Sequence, residues 1–523
     1  MSMVRKPVNV GEHLEQLREP IVKSGGFTPT ERHLAKLASR TFLELWSYPS
    51  PFRDQLSTGI TDGKEICDLM VVCDPHIILF SEKNISWSDK AADIAWPRWF
   101  RKAVLDAAKQ LAGAERWIRD HPDRIYLDHA CQHPFPLPLP PPERRKIHRV
   151  VVAGGAAKAC VARFNGGTGS FAIDPEITGN QHIDPAGQPF VIGDVQPEGD
   201  FIHVLDEASL DVVMHEMDTI TDFVEYLEKR AKFLRSGNLA LAHGEEDLIA
   251  YYATRINADG DHDFTAPHGG AWSSEDRLVI DGDAYPSFVN DPQYAARAEA
   301  NKPSYFWDFL IENFTKHMMG GTSIVLPGFE YKLTNSELAV RHMALANRFE
   351  RRNFGKACIG ALEIGQKKET FFRAMIGAEG SKGAETGFFF LTLKYLDWME
   401  KKGGYEHYRL ARTAYLQIYA QALLMKHPYL DRVIGVAMEP PNQGRGASED
   451  CVYAAQHDWT DEQRARNQAD CDRIGIMQHL KTRTPQESEF PKVTRPPMHD
   501  LGYPGYGNRK ERRAAAALRR GRR

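Results

Sequence analysis

No apolar run in this sequence approaches the roughly 18 residues that a membrane-spanning helix needs, so no membrane span is expected. The stretch Met1 to His13 is charged and lacks the apolar centre of a signal peptide, which points to the cytoplasm. Cysteine is sparse, 7 in 523 residues, and no two stand at C-x-x-C spacing. A structural zinc site is therefore not expected, and the odd, scattered count suits a reducing compartment. A strong charge of either sign is also missing: the net charge is -4 and the isoelectric point about 6.6. That balance does not advertise nucleic-acid binding, but a basic groove can sit on a neutral molecule because the local field matters more than the sum. With 42% hydrophobic and 26% charged residues the composition is that of globular protein. Its length exceeds one core of usual size, so about two to four domains are expected.

Residues 28 to 48 read as a helix, capped by Thr28 or Thr30 with Pro29 in the first turn, and with Leu34, Leu37, Ala38, Thr41, Phe42 and Leu45 on one face. Two apolar runs follow, Glu65 to Cys73 and His76 to Ser81. Asp74-Pro75 lies between them, and a tight antiparallel hairpin is the natural reading. Trp96 to His121 is the next helix. The run Pro134 to Pro142, with six prolines, is a connector. Ile147 to Ala153, Cys160 to Phe164, Ser170 to Ile173 and Phe201 to Leu205 read as strands, and Ser209 to Leu234 as a helix. These could complete the first domain or form a small second one. Further on, Asn257 to Gly270 reads as a loop, and Tyr305 to His317 and Ser336 to Met375 as helices, the latter broken near Gly355 or Gly360. Phe388 to Trp398 reads as a strand passing into a helix. Tyr405 to Leu424 is a helix, Arg432 to Met438 a strand, and Thr460 to Leu480 mostly a polar helix.

Three features combine into possible chemistry. Glu44 lies near the edge of the first helix's apolar stripe. Asp68 sits inside the apolar run Ile66 to Val72, where a carboxylate is costly unless paired, hydrogen-bonded or metal-bound. Ser81-Glu82-Lys83 closes the partner strand, where side chains can meet a substrate while the scaffold holds them. Two or three carboxylates can hold Mg²⁺, a hard ion that prefers oxygen ligands, and a lysine beside it can stabilise developing negative charge.

The order helix-Glu, strand-Asp, strand-x-x-Lys resembles the PD-(D/E)XK, or restriction-endonuclease-like, nuclease superfamily. The resemblance covers about Phe27 to His121, extending to Ala153 at most. It implies an α/β N-terminal domain with a mixed sheet flanked by helices, followed by α+β regions of unassigned fold. It implies phosphodiester hydrolysis with Mg²⁺ or Mn²⁺, DNA as the first partner and RNA as the second. The strand aspartate maps to Asp68, the helix glutamate to Glu44 and the lysine to Lys83. The family's second strand acid stands two residues before its lysine, where this chain has Ser81. A two-residue turn would set Asp68 opposite Ser81 and point Glu82 away. A proline at the second turn position is awkward there, and a bulge would bring Glu82 beside Asp68. Glu82 is therefore taken as the third metal acid, with Glu65 as a weaker substitute. The expected division is 1–142 nuclease-like, 143–240 strands plus a long helix, 241–503 mostly helical α+β, and 504–523 a basic tail.

Other features carry bland and functional readings side by side. Trp96, Arg98, Trp99, Phe100, Arg101 and Lys102 could edge a nucleic-acid surface, or Trp99 is core and the charges face solvent. Phe349, Arg351, Arg352, Phe371, Phe372 and Arg373 could clamp a substrate or an oligomer partner, or belong to a packed helical domain with solvated arginines. His121, His129, His133, His262 and His268 match no zinc motif, and Cys131 with His133 lacks an orienting residue. The tail from Asn508 to Arg523 could touch phosphates or be a frayed, solubilising end. Two alternatives to a nuclease stay open: a catalytically inactive nucleic-acid-binding or scaffolding protein, and an unrelated enzyme in the C-terminal region.

Overall fold

The computed structural model describes residues 18–55, 60–267, 269–324, 330–441, 448–456, 458–478, 480–484 and 487–493. Met1 to His13, His268 and the basic tail lie outside them. The first helix, α1 (Pro29–Thr41), opens with a capping box: Thr28 accepts from the Glu31 N–H and the Glu31 carboxylate accepts from the Thr28 N–H. Leu34, Ala38 and Thr41 are its buried face. The helix ends at Thr41 rather than near residue 48. Leu43 has φ +64°, a conformation that cannot continue a right-handed helix. A 3-10 turn, Glu44–Trp46, follows, so Glu44 is not on the helix.

Next come β1 (Ser47–Pro49), β2 (Phe52–Gln55), β3 (Ile60–Glu65), β4 (Leu69–Cys73) and β5 (His76–Asn84). The helices α2 (Ala92–Phe100) and α3 (Asp106–Asp120) join through one π turn, Arg101–Leu105. Then follow β6 (Lys146–Gly154), α4 (Ala157–Phe164), β7 (Ala172–Thr178), β8 (Val191–Asp194), β9 (Ile202–Asp206), α5 (Ser209–Glu216) and α6 (Ile220–Arg235). The expected strand at Cys160 to Phe164 is α4. Parallel neighbours need a crossover, and a helix starting just after β6 begins one.

The five-stranded main sheet has the order β1-β4-β5-β6-β9. β1, β4 and β5 are antiparallel, while β5, β6 and β9 run parallel, so the sheet is mixed and flanked by helices. It is not finished at residue 142, because β6 and β9 complete it. The β4–β5 hairpin keeps the two-residue connection: Cys73 pairs with His76, and the Asp74-Pro75 peptide is cis, the isomer with which a tight turn accepts proline at its second central position.

The second sheet, β11-β10-β7-β8, adds β10 (Leu239–Ala242) and β11 (Leu278–Ile280), with α7 (Glu245–Ala253) between them. After α8 (Ala284–Val289), α9 (Pro292–Asn301), α10 (Ser304–Met319), α11 (Leu333–Ala344) and α12 (Arg348–Gly365) comes a third sheet. It consists of β12 (Thr370–Met375), β13 (Thr386–Leu393), β14 (Arg432–Met438) and β15 (Glu449–Ala454). The helices α13 (Asp397–Lys401) and α14 (Gly404–Lys426) precede β14, and α15 (Asp461–Ile474) follows β15. The break expected near Gly355 or Gly360 falls at Asn347, which caps α12 reciprocally with Glu350. Gly355 stays helical for another reason. A Cβ there would lie 1.9 Å from the Pro303 carbonyl oxygen, so glycine lets α12 lie against the start of α10.

One apolar cluster runs from Leu34 in α1 to Met438 in β14, tying the main and third sheets together. Arg351 and Arg352 are fully buried inside this architecture, not solvated. Arg351 donates to Asp308 and to the Ala346 carbonyl, and Arg352 to the Glu489 and Ser488 carbonyls. Trp96 and Trp99 are likewise core, their indole N–H groups held by the His182 and Ile85 carbonyls. Arg98, Arg101 and Lys102 stay exposed.

Candidate functional site

The two faces of β5 are distinguishable by what they touch. Phe80 packs against Phe42 and Phe223, so even-numbered positions face α1 and α6. Ser81 donates to the Gln110 Oε1 of α3 at 3.1 Å, so odd-numbered positions face α3. The regular pairing of β4 with β5 ends at Leu69 opposite Phe80, and the residue before it, Asp68, donates its N–H to the Phe80 carbonyl at 3.1 Å. On the other side, the Ser50 N–H donates to the Asp68 carbonyl at 3.0 Å. The Asp68 backbone is thus stitched between the end of β1 and β5.

Asp68 is 5% exposed. Its Oδ2 accepts from the Glu82 N–H at 2.5 Å and lies 3.4 Å from Lys83 Nζ. Asp68 and Lys83 are therefore together, as the strand pattern suggested. The Glu82 side chain bonds the Thr30 hydroxyl at the start of α1, and its carboxyl also feels the Asp68 and Lys83 charges. Glu44 is farther off. Ser47 pairs with Val71 and Pro49 with Leu69, so residues before Ser47 lie at the opposite end of β1 from Asp68. Glu44 is exposed there, and its carbonyl accepts from Lys23.

Two other acids stand nearer. Glu31, the capping glutamate of α1, acts electrostatically on Asp68, Glu82 and Glu65. Glu65, at the end of β3, is pushed up to about 7, first by burial and then by the Asp68 charge. The Ser50 hydroxyl approaches Glu65 and favours its ionised form, but Ser50 Oγ and Glu65 Oε1 are both buried without a well-formed hydrogen bond. Burial also raises Asp68, against the pull of Lys83, and raises Glu82, against the Thr30 hydrogen bond. Lys83 acts on Asp68, Glu65 and Glu82 together. An all-oxygen donor set is the kind that a hard cation prefers. Mg²⁺ usually takes one or two carboxylates and keeps several waters. Among the described residues, though, no three of these acids gather their oxygens within 4.8 Å of one another. The set that does meet that distance is His76, His148 and Glu228, at the other end of β5.

No family model, curated protein or solved structure matches this chain.

Glu31 carried a visible signal, the T-x-x-E capping box, but one that speaks of helix initiation. Glu65 was visible only as a substitute with the wrong strand parity. It belongs to β3, a strand of the separate β2–β3 ribbon, so parity along the β4 run does not apply to it. His76 and His148 carried no signal, because 72 residues separate them and only strand pairing makes them neighbours. Of the other candidates, His133 is tied to Asp128, and His262 to Glu489. Burial and the Asp54 charge raise the Cys131 thiol, the opposite of what a nucleophile needs.

Proposed function

We propose that this chain is a metal-dependent phosphodiesterase acting on nucleic acid, DNA first and RNA second, with its site at Asp68, Glu65 and Lys83. One observation carries the reading: the buried Asp68 carboxyl and the partly buried Glu65 carboxyl feel each other's charge at the end of a core strand, with Lys83 Nζ 3.4 Å from Asp68. A mixed sheet flanked by helices is compatible with the nuclease architecture that the resemblance implies. Asp68 and Glu65 would hold Mg²⁺ or Mn²⁺, with Glu31 and Glu82 adding negative field. A divalent ion there would supply charge neutralisation for a phosphodiester and a more acidic bound water. Lys83 has its own part. Its side chain is 30% exposed, and its ammonium is held by Asp68 where it can bond a phosphoryl oxygen as charge develops. Glu44 has no role in this site.

A second reading is favoured by the same ion pair. Asp68 is already neutralised by Lys83, which suits a module that binds nucleic acid without cutting it. The test separates the two. Labelled DNA and RNA are incubated with the protein and Mg²⁺ or Mn²⁺, with a chelator as control, and binding is measured in parallel. Cleavage that disappears in Asp68→Asn, Glu65→Gln and Lys83→Ala, all remaining folded, supports the nuclease. Binding without cleavage supports the second reading. Undiminished cutting by all three variants removes the site.

A further inference from the structure

We propose that His76, His148 and Glu228 form a binding site for a borderline transition-metal ion of the Zn²⁺ class, separate from the acidic site. His76 opens β5 and His148 lies on β6. The parallel register pairs His76 with Lys146 and Ile78 with His148, so both imidazoles project from the same face of the sheet. That face is covered by α6, which carries Glu228. One ligand atom from each residue falls within 4.8 Å of the others.

The spacing suits a metal. His76 Nδ1 and His148 Nε2 are 3.1 Å apart. Two nitrogens each roughly 2.05 Å from a tetrahedral Zn²⁺ would be about 3.3 Å apart. The rings are already nearly there, so loading the site demands little movement. The facing nitrogens share one hydrogen bond, so one of them already offers its lone pair toward the gap between the rings. In the metal-free protein one ring donates an N–H to the other. In the loaded protein that ring carries its proton on its opposite nitrogen, so the change is a tautomer shift with no net proton released.

Ligand softness separates this site from the acidic one. Two imidazoles and one carboxylate suit Zn²⁺, Co²⁺ or Ni²⁺, whereas carboxylates alone suit Mg²⁺ and Mn²⁺. The position separates them as well, since the two sets occupy opposite ends of β5. The local competitor is Lys146, whose Nζ lies 3.0 Å from Glu228 Oε1. Its side chain is half exposed and lines a cavity of about 540 Å³ with Arg144, Arg341 and Arg432, so it can swing aside and leave Glu228 to an ion.

The test is titration of the full chain with Co²⁺, read by the visible bands of four-coordinate cobalt, and with Zn²⁺ in competition with a coloured chelator. One equivalent should bind. Glu228→Ala, a change at a half-exposed helix position that leaves the fold intact, should bind at least about tenfold more weakly. His148→Ala should lose the cobalt bands. Lys146→Ala should bind at least as tightly as the parent, because the competing ammonium is gone, and Asp68→Asn should be unaffected. No binding by the parent, or binding unchanged in both Glu228→Ala and His148→Ala, overturns the site. Loss in Asp68→Asn alone assigns the ion to the acidic cluster and overturns it too, whereas failure of nucleic-acid cleavage bears only on the function proposed above.

Discussion

Replacing Glu65 by glutamine should make the protein more stable at about pH 8 and leave it unchanged near pH 4. The Glu65 carboxyl sits at about 7 in the folded chain against an ordinary value of 4.5. At ~1.36 kcal/mol for each pH unit, that displacement corresponds to roughly 3.4 kcal/mol. The group is partly exposed, so screening by solvent reduces the figure to about 1–2 kcal/mol. The sign follows from proton binding. Near pH 4 the folded and unfolded chains both hold most of this proton, and little is lost. Between 4.5 and 7 the folded chain holds a proton that the unfolded chain releases, so stability falls as pH rises. Above 7 the carboxylate is ionised in both states and the full penalty of keeping it beside Asp68 is present. Glutamine mimics the neutral form and escapes that penalty. Urea denaturation followed by tryptophan fluorescence, repeated from about pH 4 to 8, measures the difference. If a divalent ion belongs here, Mg²⁺ should raise the parent's stability at pH 8 and do little for the variant. A difference between the two proteins that is flat across this range, or a variant less stable at pH 8, would refute the reasoning.

Asp308→Ala should cost about 3–5 kcal/mol, read by the same denaturation. Asp308 accepts from Arg348 at 2.6 Å and from the fully buried Arg351 at 2.8 Å, and its removal leaves the Arg351 guanidinium buried without an acid, while Arg348 keeps Asp218. Gly355→Ala should cost on the order of 1–3 kcal/mol and lower the thermal midpoint, because its Cβ would meet the Pro303 carbonyl and push α12 from α10. Asn347→Ala should cost about 1 kcal/mol through loss of the α12 cap, and Asn347→Asp should retain most of that stability by circular dichroism melting.

Much of the local structure was legible because its causes are local. Thr28, Pro29 and Glu31 announce the start of α1. The apolar runs Glu65 to Cys73 and His76 to Ser81, rich in valine, isoleucine and leucine, announce a hairpin, and an aspartate inside such a run invites a reason. The end of α1 was not legible. Its apolar spacing continues through Leu45, but Leu43 turns left-handed so that Trp46 can bury and bond Glu337, 291 residues away. The arginines of α12 read as surface charge because sequence cannot show Asp308 or the carbonyls that receive them.

The sequence by itself determined the start of α1, the strands of the β4–β5 hairpin and of β14, and that Asp68 stands where a carboxylate needs a partner. Those outcomes depend on neighbours a few residues apart, through capping, periodicity and burial of alternate side chains. Tertiary structure decided which acids join Asp68, with Glu31 and Glu65 arriving and Glu44 left at the far end of β1. It also decided that His76 and His148 meet. Strand register fixes both outcomes: one residue of slip moves every side chain to the other face, and register is set by contacts between segments that lie far apart in the chain.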